Sequence, residues 1–203
     1  MDILEIDIVT GKRTPFAVHA RKALRALKSA DVPFAVIGAT ALAARGLPRM
    51  TRDLDVVVTT DDAWDALDAL EAAGFESAAP VDRSADAEAM YVMTHGSSEV
   101  DVLVASGEPE STVVAEATEA PVFGVRVPVA TLEQLVLMYL YSNQVRHQGD
   151  LARIVTDTAV DLPAVERYLA EVHPEMLSTL RDRVHAARNP PPPPPRPTQS
   201  KKR

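Results

Sequence analysis

The spacing of apolar and polar residues changes several times along the chain, and each change marks an element. Residues 16–30, FAVHARKALRALKSA, place apolar residues at helical spacing with basic residues opposite, and Asp31 and Pro33 end that helix. PFAVIG reads as a short buried strand, and ATALAARG as a short helix closed by Gly46. RDLDVVVTT is a second strand whose Thr-Thr-Asp end caps a helix in DAWDALDALEAAG, stopping at Gly74. EAMYVMTHG and SSEVDVLVA pair as a hairpin turning at Gly96-Ser97, and VFGVRVPVA adds one more strand. From Thr131 only helical periods remain: TLEQLVLMYLYSNQVRH, GDLARIVTDTA, LPAVERYLAEV and PEMLSTLRDRVHAAR. The first ten residues are a candidate for an extra strand.

The expected fold is therefore α+β. A mixed sheet with flanking helices occupies residues 1–130, and a C-terminal helical bundle follows over 131–188. There is no internal repeat. Residues 189–203, NPPPPPPRPTQSKKR, are low in complexity, and six consecutive prolines favour an extended polyproline II tail. Two readings of this basic, Pro-rich segment stand side by side: a disordered terminus, or a ligand for a proline-reading domain or an anionic surface.

Composition narrows the function classes. The chain has 203 residues, 46% hydrophobic but only 4% aromatic, so its core is mostly Ala, Val and Leu. From Pro190 onward there are four basic residues and no acid. The whole-chain charge of -8 less those four puts the body near -12. That balance argues against a large nucleic-acid platform while leaving room for a local basic cleft. With no cysteine there is no disulfide framework and no thiolate zinc site. No signal-peptide pattern opens the chain and no stretch reaches the length of a transmembrane helix, so the expected compartment is the cytoplasm and no membrane partner is expected.

The chemistry concentrates in VIGATALAARGLPRMTRDLDVVV, residues 36–58. Alternation along a strand sends Asp53 and Asp55 to one face, about 6–7 Å apart, while Leu54 enters the core. Paired carboxylates repel unless a cation sits between them, and the hard oxygen set suits Mg²⁺ with phosphate oxygens and water. Asp101, in another valine-rich strand, is the candidate third ligand. Glu99, two residues earlier, is the alternate. At Gly38 a strand turns into a helix, and the missing side chain lets a phosphate approach backbone N–H groups. Thr40 is placed to add a hydroxyl. Arg45, Arg49 and Arg52 lie between the turn and the carboxylates, where a guanidinium matches phosphate oxygens. Of the histidines, His147 beside Arg146 is the one placed to face a cleft. Trp64 and the tyrosines of MYLYSN read as packing, with Tyr139 on the apolar helix face.

The ordered set of Gly38-Ala39, Gly46, Arg49-Met50-Thr51-Arg52-Asp53-Leu54-Asp55 and Asp101 resembles the nucleotidyltransferase superfamily with the polymerase-β-like fold. It comes closest to the AbiEii-type toxin nucleotidyltransferases of abortive-infection toxin–antitoxin pairs, over residues 16–160. The minimal nucleotidyltransferase antitoxins are a rival branch with a shorter gap. The fifteen residues from Gly38 to Asp53 and the Arg-x-Thr element favour the first.

The resemblance implies that Asp53, Asp55 and Asp101 bind Mg²⁺, or Mn²⁺, and carry catalysis. It also implies that Gly38, Ala39, Thr40, Arg49, Arg52, Arg146 and Asp150 contact the nucleotide. The implied reaction moves NMP from an NTP (ATP, GTP, CTP or UTP) to an acceptor hydroxyl, either an RNA or tRNA 3′ end or a protein, with a cognate antitoxin as partner. The chain departs from the pattern at two places. Ala39 replaces the second Gly or Ser of the turn, and Met138 occupies the place of a helix lysine, with Arg146 and Asp150 standing for the pair behind it. These departures and the acidic body support the alternative of a weak or inactive module that binds nucleotide or a partner protein without turnover. The retained acidic trio argues against it, since three buried acids without a metal are costly to keep.

Overall fold

A computed structural model describes residues 14–190. The candidate strand in the first ten residues and the polyproline segment from residue 191 lie outside the described residues.

Helix α1 (Pro15–Ser29) begins where the Thr14 hydroxyl accepts a hydrogen bond from Ala17 N, 3.2 Å, with Pro15 pre-set for the first turn. It buries Ala17, Ala20, Ala23, Leu24 and Leu27. The chain then runs β1 (Phe34–Val36), α2 (Gly38–Ala44), β2 (Asp53–Thr59), α3 (Ala63–Ala72), β3 (Glu76–Ser77), β4 (Met90–His95) and β5 (Ser98–Ala105). After these come α4 (Glu110–Glu116), β6 (Thr118–Val122) and β7 (Val125–Val129), and then helices only: α5 (Leu132–Tyr141), α6 (Val145–Asp157), α7 (Leu162–Val172) and α8 (Leu177–Arg188).

One seven-stranded mixed sheet has the order β3-β4-β5-β2-β1-β7-β6. β2 runs antiparallel to β1 and parallel to β5, and β1 runs parallel to β7. Central strands buried on both faces read as valine runs: Val56, Val57 and Val58 are all fully buried. Helix α1 packs on β5, β7 and α3, while α2 and α4 pack on β2.

Three local features differ from the sequence reading, each for a physical reason. VFGVRVPVA is not a single strand. Phe123 (φ 46°) and Gly124 (φ 77°) form a tight turn, and the strand pairs back with TEAPV as β6. TEAPV gives little strand signal because it carries Pro121, which this edge strand tolerates. Helix α4, with Val113 its only fully buried residue, carries too little periodicity to register. The third difference shapes the site. TLEQLVLMYLYSNQVRH breaks at Ser142–Gln144, and GDLARIVTDTA continues the second helix straight through Gly149. Ser142 leaves the helix at ψ 135°, and its hydroxyl accepts from Gln144 N, 3.2 Å, a local bond that competes with the helix ladder.

Candidate active site

Register brings the carboxylates together. In the parallel β2–β5 pair Asp55 stands opposite Asp101 and Asp53 opposite Glu99. Asp53, Asp55 and Asp101 each offer an oxygen such that all three lie within 4.8 Å of one another. Glu99 shares their face but is exposed and stands outside that trio. The Thr51 hydroxyl donates to Asp53 Oδ1, holding that side chain at the strand entrance.

Gly38 meets the trio from β1. At φ +62° it occupies the left-handed region, and a Cβ built there would lie 2.0 Å from Asp55 Oδ2. The space that any other residue's side chain needs is filled by the Asp55 carboxylate, which is itself a reason for glycine at this position. The Asp55 backbone is fixed in turn, because its carbonyl accepts from Ile37 N at 3.0 Å.

The trio forms the floor of a cleft of about 260 Å³. Ile37, Gly38, Met90 and Leu103 contribute from the sheet side. The opposite wall is helical: Met138, Tyr139 and Tyr141 from α5, then Ser142, Gln144, Arg146 and His147 across the break into α6. Because α6 folds back at Ser142, the His147 ring stacks on Tyr139, centroids 4.6 Å apart, and its Nδ1 lies 2.6 Å from Ser142 Oγ.

Charge crowding dominates the electrostatics. Burial, then the neighbouring Asp53 and Asp101, push the Asp55 carboxyl up to about 7, and Arg146 and Arg49 only partly oppose this. Asp101 is raised for the same kinds of reason, burial first and then Asp53 and Glu99. His147 is lowered by burial and by Arg146. Three oxygen-donor acids, crowded enough to hold back ionisation, are the donor set of a hard divalent cation. The residues therefore fit Mg²⁺ or Mn²⁺.

The remaining residues singled out in the sequence fall in different places. Arg49 lines the cleft, and its Nε donates to Asp150 Oδ2, 2.8 Å, across 101 positions of chain. Asp150 is 4% exposed and faces this arginine. Arg146 lines the cleft from an exposed position. Arg52 is exposed and is not among the lining residues. Arg45 ties α2 to the far strands, donating to Ala130 O at 2.9 Å and Thr118 Oγ1 at 2.6 Å. Ala39 and Thr40 are fully buried and do not line the cleft, and Thr40 Oγ1 has no hydrogen-bond partner among the described residues. Met138 does line it.

Among known proteins, the model of the family described as "Nucleotidyl transferase AbiEii toxin, Type IV TA system" matches residues 22–189. Comparison with curated proteins gives no significant sequence match. Among solved structures, ANT(2'')-Ia in complex with adenylyl-2''-tobramycin aligns with TM-score 0.51 and 18% identity, over 85% of this chain and 98% of that one. The solution structure of the same antibiotic-resistance factor gives TM-score 0.50 at 17% identity, over 84% and 91%. A Thermotoga maritima protein assigned as a nucleotidyltransferase gives 0.50 at 19%, over 68% and 91%. These likenesses share the fold of a mixed sheet with flanking helices. No helix among the described residues is long and apolar enough to cross a membrane. With its family match spanning most of the chain, the protein belongs to the AbiEii nucleotidyltransferase toxins and is a nucleotidyltransferase of a type IV toxin–antitoxin system.

Proposed function

We propose that this chain transfers NMP from an NTP to an RNA 3′ hydroxyl, tRNA being the leading acceptor, with Asp53, Asp55 and Asp101 holding Mg²⁺. The observation that carries the reading is the in-register trio in a cleft that Arg49 and Arg146 also line. When bound, the divalent cation supplies charge stabilisation for in-line displacement at the α-phosphate, with pyrophosphate leaving.

The chain's own groups do the rest. Arg49, held by Asp150, and Arg146 place guanidinium groups where a triphosphate crosses the cleft. Asp101 stands opposite Asp55 on the neighbouring strand β5, and we assign it the acceptor hydroxyl's proton. Met138, Met90 and Leu103 give the cleft apolar surface that limits water. Gly38 lets the β1 end approach the phosphates and Asp55 at once. Asp150 acts through Arg49 and is a positioning residue.

An RNA acceptor is favoured over a protein hydroxyl by the charge on α1. Arg21, Lys22, Arg25 and Lys28 lie on that helix with no acid among its residues, on a chain that is otherwise strongly acidic. Lys22, Arg25 and Lys28 are exposed. A row of cations one helical turn apart suits a phosphate backbone. The His19 ring lies 2.9 Å from Ser98 Oγ, three residues before Asp101 on β5, so α1 covers the opposite sheet face at the same strand end as the site. A cognate antitoxin completes the proposed partners.

The test is incubation with each α-labelled NTP and Mg²⁺, with and without total RNA, beside Asp55→Ala. Label on RNA from the wild type alone is the expected result. Label on protein alone would replace the acceptor class, and equal labelling by Asp55→Ala would remove the carboxylates from the chemistry.

A further inference from the structure

Tyr139 carries a hydroxyl that its packing does not explain. The residue is 5% exposed, and its ring is accounted for by the stack on His147. Its hydroxyl, however, is buried without a hydrogen-bond partner among the described residues. Leaving a buried hydroxyl unpaired is costly, and phenylalanine would fill the same volume without that cost. Packing alone therefore predicts Phe at this position.

The surroundings say what the hydroxyl is for. Tyr139 lines the cleft with Asp55, Arg49, Arg146 and His147. Burial and the nearby Asp150 hold its phenol well above the ordinary range, so it is a proton donor at every workable pH. Two acids, Asp150 and Asp55, and two cations, Arg49 and Arg146, act on it electrostatically, and both cations line the cleft with it. An acceptor that satisfies a neutral donor in a cleft lined by two guanidinium groups is an anionic oxygen. Two other buried hydroxyls lack partners, and neither fits this role. Thr40 Oγ1 does not line the cleft, and the Tyr141 phenol, which does, is influenced by Glu175 and Glu110 with no cation opposing them.

We propose that the Tyr139 hydroxyl donates a hydrogen bond to a phosphate oxygen of the bound NTP, between Arg49 and Arg146. The proposal rests on the nucleotide-binding reading above and adds a neutral donor to its two cations. It also explains the break at Ser142: folding α6 back sets His147 against the Tyr139 ring and brings Arg146 to the same stretch of wall.

Tyr139→Phe keeps the ring and deletes only the hydroxyl. Titration calorimetry of the full chain with a non-hydrolysable NTP and Mg²⁺ gives the affinity, tripolyphosphate replaces the NTP in a second series, and urea unfolding monitors the fold. We expect the variant to bind both ligands about ten- to hundredfold more weakly, with an unfolding midpoint equal to or above the wild type's. A purely structural tyrosine would show the reverse, lower stability and unchanged affinity, and that overturns the proposal. Weakened NTP binding with unchanged tripolyphosphate binding overturns the assignment to phosphate. Asp55→Ala keeps the two levels separate. If it loses Mg²⁺-dependent binding while Tyr139→Phe does not, only this inference fails. If the wild type binds neither ligand, the nucleotide reading falls and takes this one with it.

Discussion

Replacing Gly38 with alanine gives the sharpest test of how the turn and the carboxylates depend on each other. The added Cβ would sit 2.0 Å from Asp55 Oδ2, 2.6 Å from its Cγ and 3.0 Å from its Cβ. An ordinary contact begins near 3.4 Å, so the carboxylate must retreat by about 1.4 Å. The strand cannot move instead. Asp55 O is bonded to Ile37 N, and the residues around it are in register with both neighbouring strands. The side chain therefore swings out of the trio. Alanine also adopts φ +62° at a cost of about 1–2 kcal/mol, which lowers the melting temperature by roughly 2–8 °C in a chain of this size.

Gly46→Ala is the matched control. Gly46 has φ +90° but nothing within 4 Å of its built Cβ, so it carries the backbone strain without the collision. Both variants should lose similar stability. Only Gly38→Ala should lose Mn²⁺ affinity, by tenfold or more, and turnover by about a hundredfold, the usual consequence of a misplacement near 1 Å. Paramagnetic titration of Mn²⁺ and pyrophosphate release provide the readouts. Equal Mn²⁺ affinity in the two variants would refute the claim that Gly38 and Asp55 share one space.

Other outcomes follow from the same geometry. In EDTA, the raised Asp55 carboxyl binds a proton in the folded state that the unfolded chain releases, so wild-type stability falls as pH rises from about 4 to 7. Asp55→Asn removes that dependence and should gain on the wild type by about 2–4 kcal/mol above pH 7, with Mg²⁺ restoring the wild type; parallel urea curves at pH 5 and 8 would contradict it. Asp150→Ala strands the partly buried Arg49 and should cost about 2–3 kcal/mol by urea unfolding, together with weaker NTP binding. Unchanged NTP affinity would show that Asp150 positions nothing in the cleft. Thr40→Val removes a buried unpaired hydroxyl and should match or exceed wild-type stability with transfer intact; lost NTP binding would return Thr40 to the phosphate site. Exchanging Arg25 and Lys28 for glutamate should weaken RNA labelling and its salt dependence while sparing Mg²⁺-dependent NTP binding, checked by salt titration and calorimetry.

Much of the fold was legible because short-range physics writes it into the sequence. The valine runs of β2 and β5, the Gly96-Ser97 turn and the amphipathic α1 all follow from side-chain period and turn chemistry. Period two also indicated that Asp53 and Asp55 share a face. Which acid joins them depends on strand pairing: parallel register sets Asp101 beside Asp55 and leaves Glu99 at the exposed end, a distinction alternation alone does not make. The Arg49–Asp150 pair, 101 positions apart, has no local signal at all. Thr40 read as a phosphate contact because it follows the glycine turn, yet the short helix directs it into the interior. The tyrosines of MYLYSN read as packing because only apolar spacing was visible. The helix break at Ser142, which makes Tyr139 a wall of the cleft, comes from a side-chain to backbone bond that helical periodicity hides.

The most direct measurement is a crystal structure with Mn²⁺ and a non-hydrolysable NTP, phased to show manganese by anomalous scattering. Manganese is expected within coordination distance of Asp53, Asp55 and Asp101, with an α-phosphate oxygen on the same ion and the triphosphate against Arg49, Arg146 and Tyr139. Manganese absent from the three carboxylates, or a nucleotide bound outside this cleft, would contradict the proposed site.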